Sequence, residues 1–332
     1  MDFSSLLLPV PESAVLKDNA YFIWGASPIK GEDGKYHVFY SRWEKKYGFM
    51  AWVTHSEIAH GVSDHLLGPY TFKDVALPAR GKGYWDGTTT HNPTIHKFNG
   101  KYYLYYTGNC GDGINVKNDL NWTHRNSQRI GVAVATSLDG PWKRFDKPLI
   151  NVSADSTAAD ALAANNPSVV QRPDGKILMV YKAVAKQKPL PFGGPVVHLS
   201  ALGDTPTGPF VKNMKPIFTK DNSFFPAEDP YIWYQDNRYY AIVKDMKGEF
   251  TKIGRSLALF TSVNGFDWQM SKHTLVSDLS IHWENGNRDT VAYLERPQLY
   301  LENGKPKGLF LAVSPNSQYD HTYNIHIPLK CN

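Results

Sequence analysis

Cysteine is almost absent from this 332-residue chain, which has only Cys110 and Cys331. Two cysteines cannot make a disulfide framework; a single bridge is the most they allow, and two free thiols are the simpler reading. Long apolar runs are missing as well. No stretch approaches the roughly 18 residues of a membrane-spanning helix. The N-terminal Leu6-Leu7-Leu8 lacks both the basic flank and the length of a signal-peptide core. As written the chain reads as soluble and cytoplasmic, with no membrane partner; a periplasmic or secreted protein whose export signal had been removed would read the same. Charge of one sign is not concentrated anywhere. The formal +5 is spread out, with no basic run longer than Lys45-Lys46, so a nucleic-acid footprint is excluded.

Several chemistries lack their motifs. There is no His-Glu-x-x-His, no Gly-x-Ser-x-Gly elbow and no Gly-rich phosphate loop closing on Lys-Ser or Lys-Thr. Cys110-Gly111-Asp112-Gly113 reads as a turn rather than a calcium loop. His55, His60 and His65 recur every five residues, which on one strand alternates faces and suits packing or surface positions better than metal ligation. Asn121-Trp122-Thr123 and Asn151-Val152-Ser153 are glycosylation sequons, meaningful only in a secretory host. Nothing in the chain requires a cofactor. The oligomeric state is left open.

Aromatic residues, by contrast, are plentiful: 19 Tyr, 16 Phe and 9 Trp. Such richness suits β structure, and exposed rings also stack on apolar sugar faces. Within this background one unit recurs five times. Gly25-Ala26-Ser27-Pro28-Ile29, His91-Asn92-Pro93-Thr94-Ile95, Asn165-Asn166-Pro167-Ser168-Val169, Glu228-Asp229-Pro230-Tyr231-Ile232 and Glu295-Arg296-Pro297-Gln298-Leu299 align on their prolines. After each proline come a short apolar strand, a turn and a second strand rich in Tyr, Val and Leu. The turns are Asp33-Gly34, Asn99-Gly100, Asp174-Gly175, Asp236-Asn237 and Asn303-Gly304, whose residues supply the positive φ of tight hairpins. Third and fourth strands follow in most units, as in Ile130–Ser137 and Trp142–Phe145. Four strands per unit, five times over, predict an all-β fold: a five-bladed β-propeller around a central channel. The fifth unit shows only three strands. Its fourth is expected from the N-terminal segment (residues 1–20), around Ser13–Lys17, with residues 21–330 forming one propeller domain.

In a propeller the first strand of each blade lines the channel, so the residues just before the five prolines converge on one mouth. Loops joining second to third strands lie on the same face, and two of them, 109–128 and 185–195, are long enough to be binding or lid segments. The converging set is Ser27, His91, Asn92, Asn165, Asn166, Glu228, Asp229, Glu295 and Arg296, with Trp24 beside it and Asp86 placed to lean in. Arg42, Arg129, Lys182, Lys244 and Asp245 end or begin strands on the mouth side. Carboxylates, amides, histidine and tryptophan in one funnel are what a polyhydroxylated ligand needs, and paired carboxylates can protonate a glycosidic oxygen while activating water or a sugar carbon. His91 and His282 are further acid/base candidates. The cationic side chains give a slight preference for an anionic sugar such as a uronate.

At these residues the chain resembles the five-bladed propeller glycosidases of glycoside hydrolase family 43 and its relatives, including family 117. The resemblance implies a glycosidase, exo-acting on a plant or algal glycan side chain or an oligosaccharide. It implies an Asp base before the blade 1 proline, a tuning Asp in blade 3 and a general-acid Glu in blade 4, and leaves room for a single cation in the channel. Glu228 in Glu228-Asp229-Pro230 matches the acid. Asn166 stands where the tuning Asp would be and Ser27 where the base would be, so two carboxylates are replaced. Asp86 is the first candidate for a relocated base and Glu295 the second. Two other readings stay open: a phosphorylase, in which phosphate replaces water, and a non-catalytic carbohydrate-binding propeller, motivated by Ser27 and Asn166.

Overall fold

Each of the five aligned segments becomes the innermost strand of a four-stranded antiparallel sheet. The computed structural model describes residues 1–117 and 119–330; Cys331 lies outside the described residues. The inner strands are Tyr21–Lys30, Thr89–Phe98, Ala163–Gln171, Ala227–Gln235 and Tyr293–Glu302. Each contacts the next around the ring, and the first contacts the last, which makes a five-bladed propeller. The hairpin turns take the positive φ that their residues favour, as at Asn99 (49°) and Gly100 (75°). In blade 4, where glycine is missing, Asp236 (49°) and Asn237 (60°) do the same. The last blade consists of Tyr293–Glu302, Lys305–Ser314 and Tyr323–Pro328 with Val15–Leu16 at its edge. Val15 pairs with Ile325 and Leu16 with Asn324, so the ring is closed by a strand from the other end of the chain.

Apolar clusters fill every seam between blades. Phe39, Ile58 and Leu77 of blade 1 pack on Ile95, Leu104 and Tyr106 of blade 2, all at most 5% exposed, and the remaining seams are built alike. Hydroxyls pin the inner strands across the same seams. Ser27 Oγ accepts from the Ile95 amide (3.1 Å) and Ser168 Oγ from the Ile232 amide (2.9 Å). Among the described residues, no helix is long and apolar enough to cross a membrane.

A two-residue bulge interrupts every inner strand just inside the mouth. Pairing with the second strand jumps from Trp24 to Ser27, His91 to Thr94, Asn165 to Ser168, Glu228 to Tyr231 and Glu295 to Gln298. The first bulged residue is left-handed in all five: Gly25 (φ 61°), Asn92 (50°), Asn166 (53°), Asp229 (52°) and Arg296 (53°). Asn and Asp tolerate this region; an arginine there is unusual. The bulge also corrects the expected alignment of blade 1. The residue equivalent to the other four prolines is Ala26, not Pro28, and Ser27 corresponds to Thr94 rather than to a mouth position.

Candidate active site

The five bulges turn their first residues toward the channel, where the side chains join in a belt. Asn92 Nδ2 donates to Asn166 Oδ1 (2.8 Å), Asn166 Nδ2 to Asp229 Oδ1 (2.7 Å), and Arg296 Nη1 to the same Asp229 oxygen (3.2 Å). Blade 1 contributes no side chain to this belt. A Cβ built on Gly25 would lie 3.4 Å from Arg296 Nε, so the guanidinium occupies the space that a blade 1 side chain would need.

Immediately above the belt is a cavity of about 140 Å³. The residues preceding the bulges form its polar floor: His91, Glu228 and Glu295, with Lys182 reaching in from the second strand of blade 3. Trp24, Trp43, Phe49, Trp52 and Tyr319 form an aromatic wall, in which Phe49 stacks on Tyr319 with centroids 3.9 Å apart. Gln128 closes the side of the long blade 2 loop. That loop is tied to the blade 3 insertion, since Arg125 Nη1 donates to the Phe192 carbonyl (2.6 Å) and Asn126 Nδ2 to that of Pro191 (2.9 Å).

Three carboxylates, Glu228, Asp229 and Glu295, bring oxygen atoms within 4.8 Å of one another. Lys244, buried at the end of the second strand of blade 4, places Nζ 3.0 Å from Glu228 Oε2 and 2.5 Å from Glu295 Oε1. Lys182 Nζ lies 2.7 Å from Glu228 Oε1. Burial raises the pKa of both glutamates, but the balance differs. At Glu228 the two ammonium groups outweigh burial and hold the carboxyl well below the usual range. At Glu295 burial prevails over Lys244 alone, and repulsion from Glu228 adds to it, so its pKa is raised. Lys182, Lys244 and Arg296 already pair with these acids, so this cluster does not fit a bound metal cation as well, and no chemistry here is routed through one.

His91 sits on the opposite side of the floor, stacked 5.0 Å from Trp52. Ser56 Oγ lies 2.7 Å from His91 Nδ1 and 3.1 Å from the Thr90 carbonyl, and so fixes the orientation of the ring. Burial, with Arg296 and Lys182 nearby, holds this imidazole well below its ordinary pKa, so it is neutral at physiological pH.

The structure thus brings Trp24, His91, Asn166, Lys182, Glu228 and Glu295 together. Five other candidates lie elsewhere. Asp86 is fully buried in the outer part of blade 2, held by Arg80 (2.8 Å), Tyr106 (2.7 Å) and Arg144 (3.4 Å); it closes an ion-pair cluster and does not reach the mouth. Ser27 lies inside the channel and donates to Gln298 Oε1 (3.0 Å). Arg42 pairs with Glu57 (2.9 Å) and stacks on Tyr21 and Phe72. Asp245 accepts the backbone amides of Glu249, Phe250 and Thr251 (2.8–2.9 Å) and shapes the adjoining loop. His282 is exposed on a hairpin away from the cavity. Sequence reasoning misses most of the aromatic wall because Phe49 and Trp52 sit on short helical turns between strands, where no periodicity marks them.

Comparison with known proteins agrees with this architecture. Residues 69–163 match the family model described as glycosyl hydrolases family 43. No curated protein matches the sequence. Among solved structures, a family 117 glycoside hydrolase of the marine bacterium Zobellia galactanivorans superposes with a TM-score of 0.64 at 18% identity, over 93% of this chain and 85% of that one. The native arabinanase Arb43A of Bacillus subtilis gives 0.58 at 18% over 92% and 96%. A GH43 β-xylosidase/α-arabinofuranosidase from a compost metagenome, in complex with xylotriose, gives 0.60 at 17% over 99% and 95%. At these identities the superpositions show the fold. The likeness to family 43 in sequence is confined to residues 69–163, and the five-bladed fold is shared along the whole chain.

Proposed function

We propose that this protein is an exo-acting glycosidase that removes a terminal sugar from a plant or algal glycan side chain or an oligosaccharide. In this reading Glu295 is the proton donor and Glu228 its ionised partner. The observation that carries it is the unequal pairing of two buried carboxylates: Lys244 bridges both, and Lys182 reaches only Glu228. Environments that push a pair of acids apart divide the acid and base roles between them. Glu295, raised by burial, holds a proton for the leaving glycosidic oxygen. Glu228, held ionised by Lys182 and Lys244, faces positive charge developing at the anomeric carbon. This reverses the assignment implied by the blade 4 motif alone.

The exo reading is supported by the size of the cavity, about 140 Å³, which suits one sugar ring rather than a long chain. Gln128, at the end of the blade 2 insertion, bounds one side of the cavity. The aromatic wall offers a stacking surface for the apolar face of that ring. A carbohydrate substrate is supported by the compost-metagenome relative, which was captured with xylotriose bound. Lys182 and Lys244 both pair with Glu228, so the proposal carries no preference for a uronate.

Glu295→Gln and Glu228→Gln, assayed on aryl glycosides and on alkyl or oligosaccharide substrates, test the assignment. Activated aryl leaving groups need no proton, so E295Q should keep aryl turnover and lose the rest, whereas E228Q should lose both. The converse pattern would move the acid to Glu228. Full activity of both variants would refute the proposal.

A further inference from the structure

Far from the mouth, at the opposite end of blades 1 and 2, four side chains form a line: Asp33, His37, His60 and Asp74. His37 and His60 lie on neighbouring strands of blade 1, Tyr36–Glu44 and Glu57–Ser63. The register sets Phe39 opposite His60 and His37 opposite Val62, which makes the two imidazoles diagonal neighbours on one face. They are 2% and 0% exposed. His37 Nδ1 faces His60 Nε2 at 2.7 Å. The outer nitrogen of each ring faces a carboxylate: His37 Nε2 is 3.2 Å from Asp33, and His60 Nδ1 is 3.4 Å from Asp74.

This line is one proton short. Its three contacts each need a hydrogen, and two neutral imidazoles supply two. The deficit falls on His60 Nδ1, which is buried without a hydrogen-bond partner. An imidazolium would have to place its charge in a site closed to solvent, where His60 is 0% exposed. A cation in the central gap resolves the conflict. Each ring then keeps its proton on the outer nitrogen, donates it to Asp33 or Asp74, and turns its inner lone pair to the metal. Carboxylates backing metal-bound histidines in this way are the usual second layer of such sites.

A third ligand is at hand. Asp139, in the turn after the third strand of blade 2, places a carboxylate oxygen in the same cluster, where one donor atom from each of His37, His60 and Asp139 lies within 4.8 Å of the others. A cavity of about 150 Å³, lined by Asp33, His37, Ser137 and Asp139, opens beside them as an entry path. Lys73 holds Asp139 in the structure; its side chain is 41% exposed and can swing into solvent.

We propose that His37, His60 and Asp139 form a site for a divalent transition cation of the zinc class, with Asp33 and Asp74 orienting the two imidazoles. Two imidazole ligands and one carboxylate suit zinc, with water as the fourth ligand. Zn–N bonds of about 2.0–2.1 Å in tetrahedral geometry put the nitrogens about 3.3 Å apart, so the facing nitrogens need only part slightly from 2.7 Å. The site bridges the seam between blades 1 and 2, and its role there is to brace the ring.

The full chain, stripped with a chelator, is titrated with zinc chloride by calorimetry and with cobalt chloride by visible absorption. One equivalent per chain is expected, with d–d bands of a four- or five-coordinate site and a higher melting temperature with zinc. Asp139→Asn should weaken zinc binding by about tenfold or more, and His37→Gln should abolish the cobalt bands. Absence of stoichiometric binding, or equal affinity in wild type and both variants, would overturn the proposal. Asp139 is a turn residue with a half-exposed side chain, so its variant keeps the test decisive if the buried histidine variant fails to fold.

Discussion

Arg296 lays its guanidinium against Gly25, and the two residues complete one belt: a Cβ on the glycine would meet Arg296 Nε at 3.4 Å and Cβ and Cγ at 3.5 Å. The arginine pairs with Asp229, so the side chain missing from blade 1 is compensated by a cation from blade 5. Gly25→Ala should therefore destabilise the fold through its positive φ, by about 1–2 kcal/mol, since the added Cβ makes only ordinary contact with Arg296. Urea denaturation checks it. A neutral result would mean that the bulge tolerates a side chain in the left-handed region.

Lys244 carries the electrostatics of the cavity floor, since it is 4% exposed and bonded to two glutamates. Lys244→Met keeps its volume and removes its charge. The two carboxylates are then left with less compensation, at a cost of about 3–5 kcal/mol. Denaturant melts at neutral pH should show the loss, and unchanged stability would mean that Glu228 finds its compensation in Lys182 alone.

The opposed shifts of the glutamates fix the sign of two pH dependences. Glu295 is raised, so its acid form persists above the ordinary glutamate range. Turnover of unactivated glycosides should fall as pH rises through that raised value. E295Q on aryl glycosides should show no such limb. Glu228 is depressed, so the stability it contributes is present above its unfolded pKa, near about 4.3, and lost as pH falls through its lower folded value. Melting temperatures of wild type and E228Q should converge as pH drops below about 4.

Arg125 latches the two long mouth loops by its bond to the Phe192 carbonyl. Arg125→Ala should raise KM for oligosaccharides by several-fold while changing the melting temperature little, because the latch lies outside the blade cores. Steady-state kinetics on substrates of increasing length give the comparison; an unchanged KM would separate the latch from binding.

The limits of one-dimensional reading show at particular residues. The proline alignment holds in four blades and slips by two residues in blade 1, because Pro28 is a decoy: the conformation that matters is the left-handed bulge, and Gly25-Ala26 adopts it without a proline. Spacing alone lets Asp86 lean into the mouth, but Arg80, Arg144 and Tyr106 hold it from strands and loops that sequence spacing does not connect. His60 reads as packing when its spacing to His55 and His65 is judged along one strand. Its partner, His37, comes from the next strand through the register of the sheet.

Written in neighbouring residues are the five-fold repeat, the hairpin turns and the convergence of one segment per blade on a common mouth. Local φ preferences at Asn-Gly, Asp-Gly and Asp-Asn, together with alternating apolar strands, are short-range properties, so they can be read along the chain. Which carboxylates meet which lysines and which side chains line the cavity follow only from the assembled ring. Those outcomes depend on burial and on charges contributed by other blades. Glu228 and Glu295 precede similar bulges in similar strands, and Lys244 bridges both. They differ because a second lysine, from blade 3, reaches Glu228 and not Glu295.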